Sequence, residues 1–233
     1  MNACAARALP CVRVDGGAVS SALSARTTEN VRADPKLYPK MSVLKVGFYR
    51  ELLRLSFNVW ACDADAVFMS DPRPLMRSEP WLSADVAVAT DCIDLPGDAA
   101  RPLLHCDFNT GLVYLRASEA VLDFTMQWRE KVANAKEARI RDQAAFNMIT
   151  KAAPGLRQYK TADGKPLPRI YTAGSAEGRP LRLGVLPLAQ FLNGHTFFVQ
   201  HAHLLPNAAT PVSVHMTYQF AEGTSFAYGK RQR

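Results

Sequence analysis

The 233-residue sequence has no run of about 18 apolar residues, so no segment is expected to cross a bilayer as a helix. Its first residues, MNACAARALPCVRVDGG, are only mildly apolar. Arg7 and Arg13 interrupt them and Pro10 breaks them, so neither a signal peptide nor a membrane anchor is expected there. Cysteine is sparse. Five residues (Cys4, Cys11, Cys62, Cys92, Cys106), odd in number and without C-x-x-C spacing, argue against a zinc ribbon, a thioredoxin-like pair or a dense disulfide framework. They leave any single bridge undetermined. Lys and Arg (28) exceed Asp and Glu (21), for a formal charge of +7, yet only Lys230-Arg231-Gln232-Arg233 clusters. A nucleic-acid partner is not expected, because that needs a basic face and a recognisable reader module. Internal repeats and low-complexity tracts are also lacking.

What is present is globular composition, 48% hydrophobic and 21% charged, at a length that suits one α/β domain over residues 1–233. Met41, Leu44, Phe48, Leu52 and Leu55 recur at helical spacing and predict a helix over 41–55. Asn58–Cys62 is short and β-prone, and it runs into Asp63-Ala64-Asp65 and then Val67-Phe68-Met69 before Ser70–Pro74 breaks regular structure. Asp85–Thr90 is a continuous small-apolar strand ending at Asp91, and Asn109-Thr110-Gly111 leads into a strand at 112–115. Ser118 can cap a helix whose Val121, Phe124, Trp128 and Val132 share a face, and Asp142-Gln143 opens another with Phe146 and Ile149. The segment 153–180, rich in Pro and Gly, reads as a long loop or lid. Strands are expected at 181–186 and 211–216. Alternating helices and strands imply helices flanking a largely parallel sheet, and ligands in such sheets sit beyond the carboxyl ends of strands.

Asp63, Asp65, Asp91 and Asn109 all fall at expected strand ends. In an extended segment Asp63 and Asp65 would face the same side, where two carboxylates can hold Mg²⁺ or Mn²⁺ and leave positions open for phosphate oxygens. The same pentad, Asp63-Ala64-Asp65-Ala66-Val67, also fits an aspartyl-phosphate phosphohydrolase with Asp63 as nucleophile, but no adjacent Asp pair follows downstream to complete such a site. His215 alternates with the valines of 212–216 and shares a side with Ser213, whereas His201-Ala202-His203 has no identifiable third ligand. Asp142 at a helix start and Lys45 on a helix face also have purely structural readings, as a dipole partner and as a solvated side chain.

The order of these pieces resembles the nucleotide-diphospho-sugar transferases of glycosyltransferase family 77, which have a GT-A type, Rossmann-like fold with a mixed, mostly parallel sheet. The matching pieces are Met41-x-x-x-Lys45, NVWACDADAVFMSDP (58–72), ADVAVATD (84–91), FNTGLVYLRAS (108–118), DQAAFN (142–147), FLNG (191–194) and VHMTYQFAEGTSFAYGKRQR (214–233). The last is most similar to plant and algal members that add arabinose to hydroxyproline-rich wall glycoproteins. Relative to that family both ends look cut, and Ser56 stands where a Gly usually precedes the strand.

The resemblance implies a metal-dependent, retaining transfer of a sugar from a nucleoside diphosphate donor, a UDP-sugar, to a glycoprotein or glycan acceptor in the Golgi lumen. It assigns Mn²⁺ (or Mg²⁺) to Asp63, Asp65 and His215. It gives catalytic positions to Asp142 and Gln143, and substrate contacts to Lys45, Asp91, Asn109, Gly111, Asn193, Gly194 and Lys230. A catalytically inactive relative acting as a binding module is the alternative reading.

Overall fold

A computed structural model describes residues 37–137, 140–173 and 179–217. The first helix, α1, runs Leu37–Arg54. Its buried stripe is Ser42, Val46, Tyr49 and Leu53, spaced four, three and four apart. The expected stripe lies beside it: Phe48 and Leu52 pack only at the core's edge, and Leu55, beyond the helix, is 67% exposed. Apolar residues wrap more than one face of α1, and the helix it packs against decides which are central. Ser56, at φ 63°, closes α1 in the left-handed conformation that glycine adopts most readily.

After α1 come β1 (Val59–Cys62), β2 (Ala66–Phe68), β3 (Val86–Thr90), α2 (Leu95–Ala100), β4 (Phe108–Leu115), α3 (Glu119–Ala133) and α4 (Asp142–Thr150). They are followed by β5 (Arg157–Lys160), β6 (Pro166–Ala173), β7 (Leu181–Val185), β8 (Phe191–Asn193) and β9 (Ser213–His215). Six strands form one sheet in the order β1-β4-β3-β7-β6-β5, and β2-β9-β8 form a second. One face of the large sheet carries α1, α3 and α4 around Trp128, Phe146, Phe108 and Leu115. The other face buries Trp81, Leu112, Tyr114, Ile170 and Phe191. As expected, Ser118 caps α3 by accepting the Val121 amide, and Val121, Phe124, Trp128 and Val132 are all buried. Among the described residues no helix is long and apolar enough to cross a membrane.

The sheet is mixed and flanked by helices, but the balance of its strand directions corrects the expectation. Among the described strands of the large sheet only β3 and β7 pair in parallel, and the other neighbours are antiparallel. The reason lies in the β3–β4 connection. A parallel neighbour needs a crossover that traverses the sheet. The segment 91–107 instead leaves and returns at one edge, where Asp91 N donates to Asp107 O and a disulfide joins Cys92 to Cys106 with Cα atoms 5.5 Å apart. The single α2 inside it is six residues long. Closing a loop of this size contributes about 3 kcal/mol in the chain-entropy model. A buried ion pair fastens the same loop from outside, Arg169 to Asp98 at 2.8 Å, with Asp98 also accepting the Leu188 amide.

The expected long loop at 153–180 is a second correction, since it contains the β5–β6 hairpin, turned at Gly164 (φ 81°) and completing the sheet's edge. Pro166 and Pro168 precede the stretch of β6 that pairs with β7 from Ile170 onward, so their missing amides remove little from the ladder.

Candidate functional site

β1, β3 and β7 run one way and β4 runs against them, so the carboxyl ends of β1 and β3 and the amino end of β4 share one edge of the sheet. The functional candidates gather there. Asp63 extends β1 by one bond, its amide donating to Gly111 O at 2.8 Å, and Ala66 N then donates back to Asp63 O at 3.0 Å. The two acids therefore sit on a tight turn between β1 and β2, not on the extended segment expected, and the turn brings their carboxylates together.

β9 supplies the third group. His215 lies opposite Ala66 on one side and Asn193 on the other, and Met216 N donates to Asp65 O at 2.9 Å, tying β9 to the acidic turn. His215 Nε2 is 3.3 Å from Asp65 Oδ1 and 4.0 Å from Asp63 Oδ2. Among the described residues these three form the one cluster whose ligand atoms lie within 4.8 Å of one another. Burial holds the His215 imidazole below its ordinary pKa, with Asp63 and Asp91 opposing the shift. The neutral ring is the form that ligates a metal.

Two carboxylates and an imidazole are a donor set that can hold a divalent cation, and both distances to Nε2 are spans a single ion with bonds of about 2.1 Å can bridge. Gly111 makes room for this ring: a Cβ there would lie 2.1 Å from His215 Cε1 and 2.7 Å from Nε2. Gly111 and Asn109 thus belong to a strand, inside the fully buried β4, and not to a loop before it.

A second arm adjoins the first. Lys45 Nζ lies 2.8 Å from Asp63 Oδ1 and 2.8 Å from Asp142 Oδ2, bridging the acid and imidazole cluster and the start of α4. Burial disfavours the ammonium, but Asp142, with Tyr49 and Asp63 beside it, more than offsets this and holds its pKa above the usual lysine range. Asp142 is itself 8% exposed; its Oδ1 accepts from Ser42 Oγ at 3.3 Å, and its main-chain oxygen accepts from Trp128 Nε1 at 2.7 Å. Its neighbour Gln143 donates through Nε2 to Asp91 Oδ2 at 2.8 Å, while Asn109 Nδ2 donates to Asp91 Oδ1 at 2.6 Å. Asn109 Oδ1 in turn accepts the Gly111 amide at 2.8 Å.

The structure therefore brings together Lys45, Asp63, Asp65, Asp91, Asn109, Gly111, Asp142, Gln143 and His215. It places Asn193 beside them with its side chain engaged elsewhere: Nδ2 donates to Cys92 O at 2.7 Å, and Oδ1 accepts the Thr196 amide. Gly194 starts the helical turn at 195–199. Lys230 lies outside the described residues, as do Cys4 and Cys11. His203 stacks on Phe197 with ring centroids 4.0 Å apart.

Sequence reasoning missed Ser42, although it lies on the helical face one turn before Lys45 and Val46. It also missed Asn147, whose side chain bonds both the amide and the carbonyl of Phe108 and so anchors α4 to β4.

The chain belongs to the nucleotide-diphospho-sugar transferase family, whose model matches residues 2–233. The mixed α/β architecture is GT-A-like, in accord with that membership. Among curated relatives, arabinosyltransferase XEG113 of Arabidopsis thaliana is 28% identical over 201 residues, which cover 84% of this chain. The match spans 28% of that relative's length. No solved structure matches the chain at a significant level.

Proposed function

We propose that this edge of the sheet binds a nucleoside diphosphate sugar, a UDP-sugar, and catalyses retaining transfer of the sugar to a glycan or glycoprotein acceptor. The observation that carries the reading is the meeting of a two-carboxylate, one-imidazole cluster with the Lys45–Asp142 arm at a single ion pair, Lys45 to Asp63. Arabinose as the sugar is supported by the similarity to the Arabidopsis relative's printed activity. The family membership favours this over the phosphohydrolase reading.

Asp63, Asp65 and His215 would hold Mn²⁺ or Mg²⁺, which when bound supplies charge stabilisation to the departing diphosphate. The other roles fall to the chain's own groups. Gln143 and Asp142, at the start of α4, face the carbon that becomes cationic, where an amide or carboxylate oxygen stabilises positive charge. Lys45 holds the Asp142 carboxylate in place, and Asp91 with Asn109 orients the Gln143 amide. A secretory lumen, the Golgi by family resemblance, suits a chain with a disulfide, since such bonds persist in oxidising compartments.

Calorimetric titration with UDP, with and without Mn²⁺, tests the reading on the natural chain and on Asp63→Ala/Asp65→Ala. Binding that requires both the ion and the two acids supports a donor site. A folded chain that binds no UDP under any of these conditions is instead a non-catalytic relative.

A further inference from the structure

The Cys92–Cys106 disulfide sits one residue outside the last rung of the β3–β4 ladder, the bond from Asp91 N to Asp107 O at 2.9 Å. A ladder end that opens into a loop is where pairing frays first. The residue at this ladder end is Asp91, whose two carboxylate oxygens accept from Asn109 and Gln143. Cys92 is 2% exposed, and its carbonyl is held by Asn193; the carbonyl of Cys106 accepts from Lys151 Nζ at 2.6 Å. Both sides of the bridge are thus fixed to different parts of the fold, β8 and the end of α4. The acids and imidazole of the cluster rest on the β1–β2 turn and β9, joined to each other by the β2–β9 pairing and the Met216 to Asp65 bond, and β9 meets the loop through β8 and its Asn193.

Resting on the donor reading above, we infer that the Cys92–Cys106 disulfide is a positioning element for the sugar half of the site. It clamps Asp91 so that its carboxylate sets the Gln143 and Asn109 amides, while Asp63, Asp65 and His215 stay held to one another by the β2–β9 pairing. Its removal should spare metal-dependent nucleotide binding and abolish discrimination of the sugar.

Three preparations test this: the oxidised chain, the same chain treated with dithiothreitol, and Cys92→Ala/Cys106→Ala. Dithiothreitol supplies two electrons and two protons, leaving two thiols and its own cyclic disulfide. Circular dichroism confirms that each preparation is folded.

The first readout needs no donor. The side-chain amide NMR signals of Asn109 and Gln143, assigned by their loss in Asn109→Asp and Gln143→Glu, should shift and exchange faster once the bridge is gone. The second is calorimetry in Mn²⁺ with UDP and with UDP-arabinose. UDP affinity should stay within about twofold, while the added affinity conferred by the sugar falls by about tenfold, the scale of losing an orienting partner. Amide signals unchanged on reduction overturn the inference, and so does a sugar increment that survives reduction. If the oxidised chain binds neither probe, the donor reading fails and the sugar-positioning role fails with it. The amide signals then still show whether the bridge sets the geometry.

Discussion

Gly111 and His215 share one volume: a methyl group on the first would lie 2.1 Å from Cε1 of the second. The backbone of β4 and the imidazole are thereby fixed against each other, with Asn109 Oδ1 holding the Gly111 amide from the other side. Substituting Gly111→Ala should push the ring away from Asp65, because the ring can yield more readily than β4, which is held at Gly111 by the Asp63 amide on its carbonyl and by Asn109 Oδ1 on its amide. Mn²⁺ affinity should fall by roughly ten- to a hundredfold. Overpacking should lower stability by about 1–3 kcal/mol. Titration with Mn²⁺ and a thermal melt measure the two effects; unchanged metal affinity would contradict the geometry.

Lys45 competes with any cation for Asp63. Replacing it by Met removes a positive charge that sits 2.8 Å from Asp63 Oδ1 and leaves two carboxylates facing each other. Lys45→Met should therefore bind Mn²⁺ more tightly, by roughly three- to tenfold, a modest fraction of the Coulomb energy of a close pair. The same variant should lose transferase activity through a displaced Asp142. Weaker metal binding in Lys45→Met would refute the competition.

Asp98 carries three bonds away from the site, to both terminal nitrogens of Arg169 and to the Leu188 amide, at 2% exposure. Truncation to Ala leaves the guanidinium uncompensated in a largely buried place. Breaking a buried pair from one side costs about 3–5 kcal/mol. Urea unfolding of Asp98→Ala should show a loss of this size, and Asp98→Ala/Arg169→Met should recover part of it. A single variant within about 1 kcal/mol of the natural chain would show that water reaches the pair.

Much of the site was legible because its chemistry sits at strand ends. Asp63-Ala64-Asp65 after an apolar run, Asp91 after another and His215 in a short late strand could each be placed from local pattern, and the structure brings them to one edge. What stayed hidden depended on partners far away in sequence. Lys45 looks like any helix-face lysine until Asp63 and Asp142, distant in the chain, close on it. The partner of Cys92 follows from the return path of a loop, which spacing does not encode. Strand direction in β4 was misjudged for the same reason. The expected parallel pairing would need a crossover between β3 and β4, and the six residues of α2 cannot span a sheet. In the segment 153–180 the prolines masked a hairpin, because they occupy the places in β6 where an amide is dispensable.

Strand β9 is three residues long, yet it is the middle member of the second sheet, with β2 on one side and β8 on the other. Without it neither neighbour has a partner in that sheet. His215 closes this strand, so an ion shared between it and the acidic turn would act as a rivet between a late segment of the chain and an early one. Ligation would then register as protection of the region around residue 215 from proteases, a gain in order that spreads well beyond the three side chains.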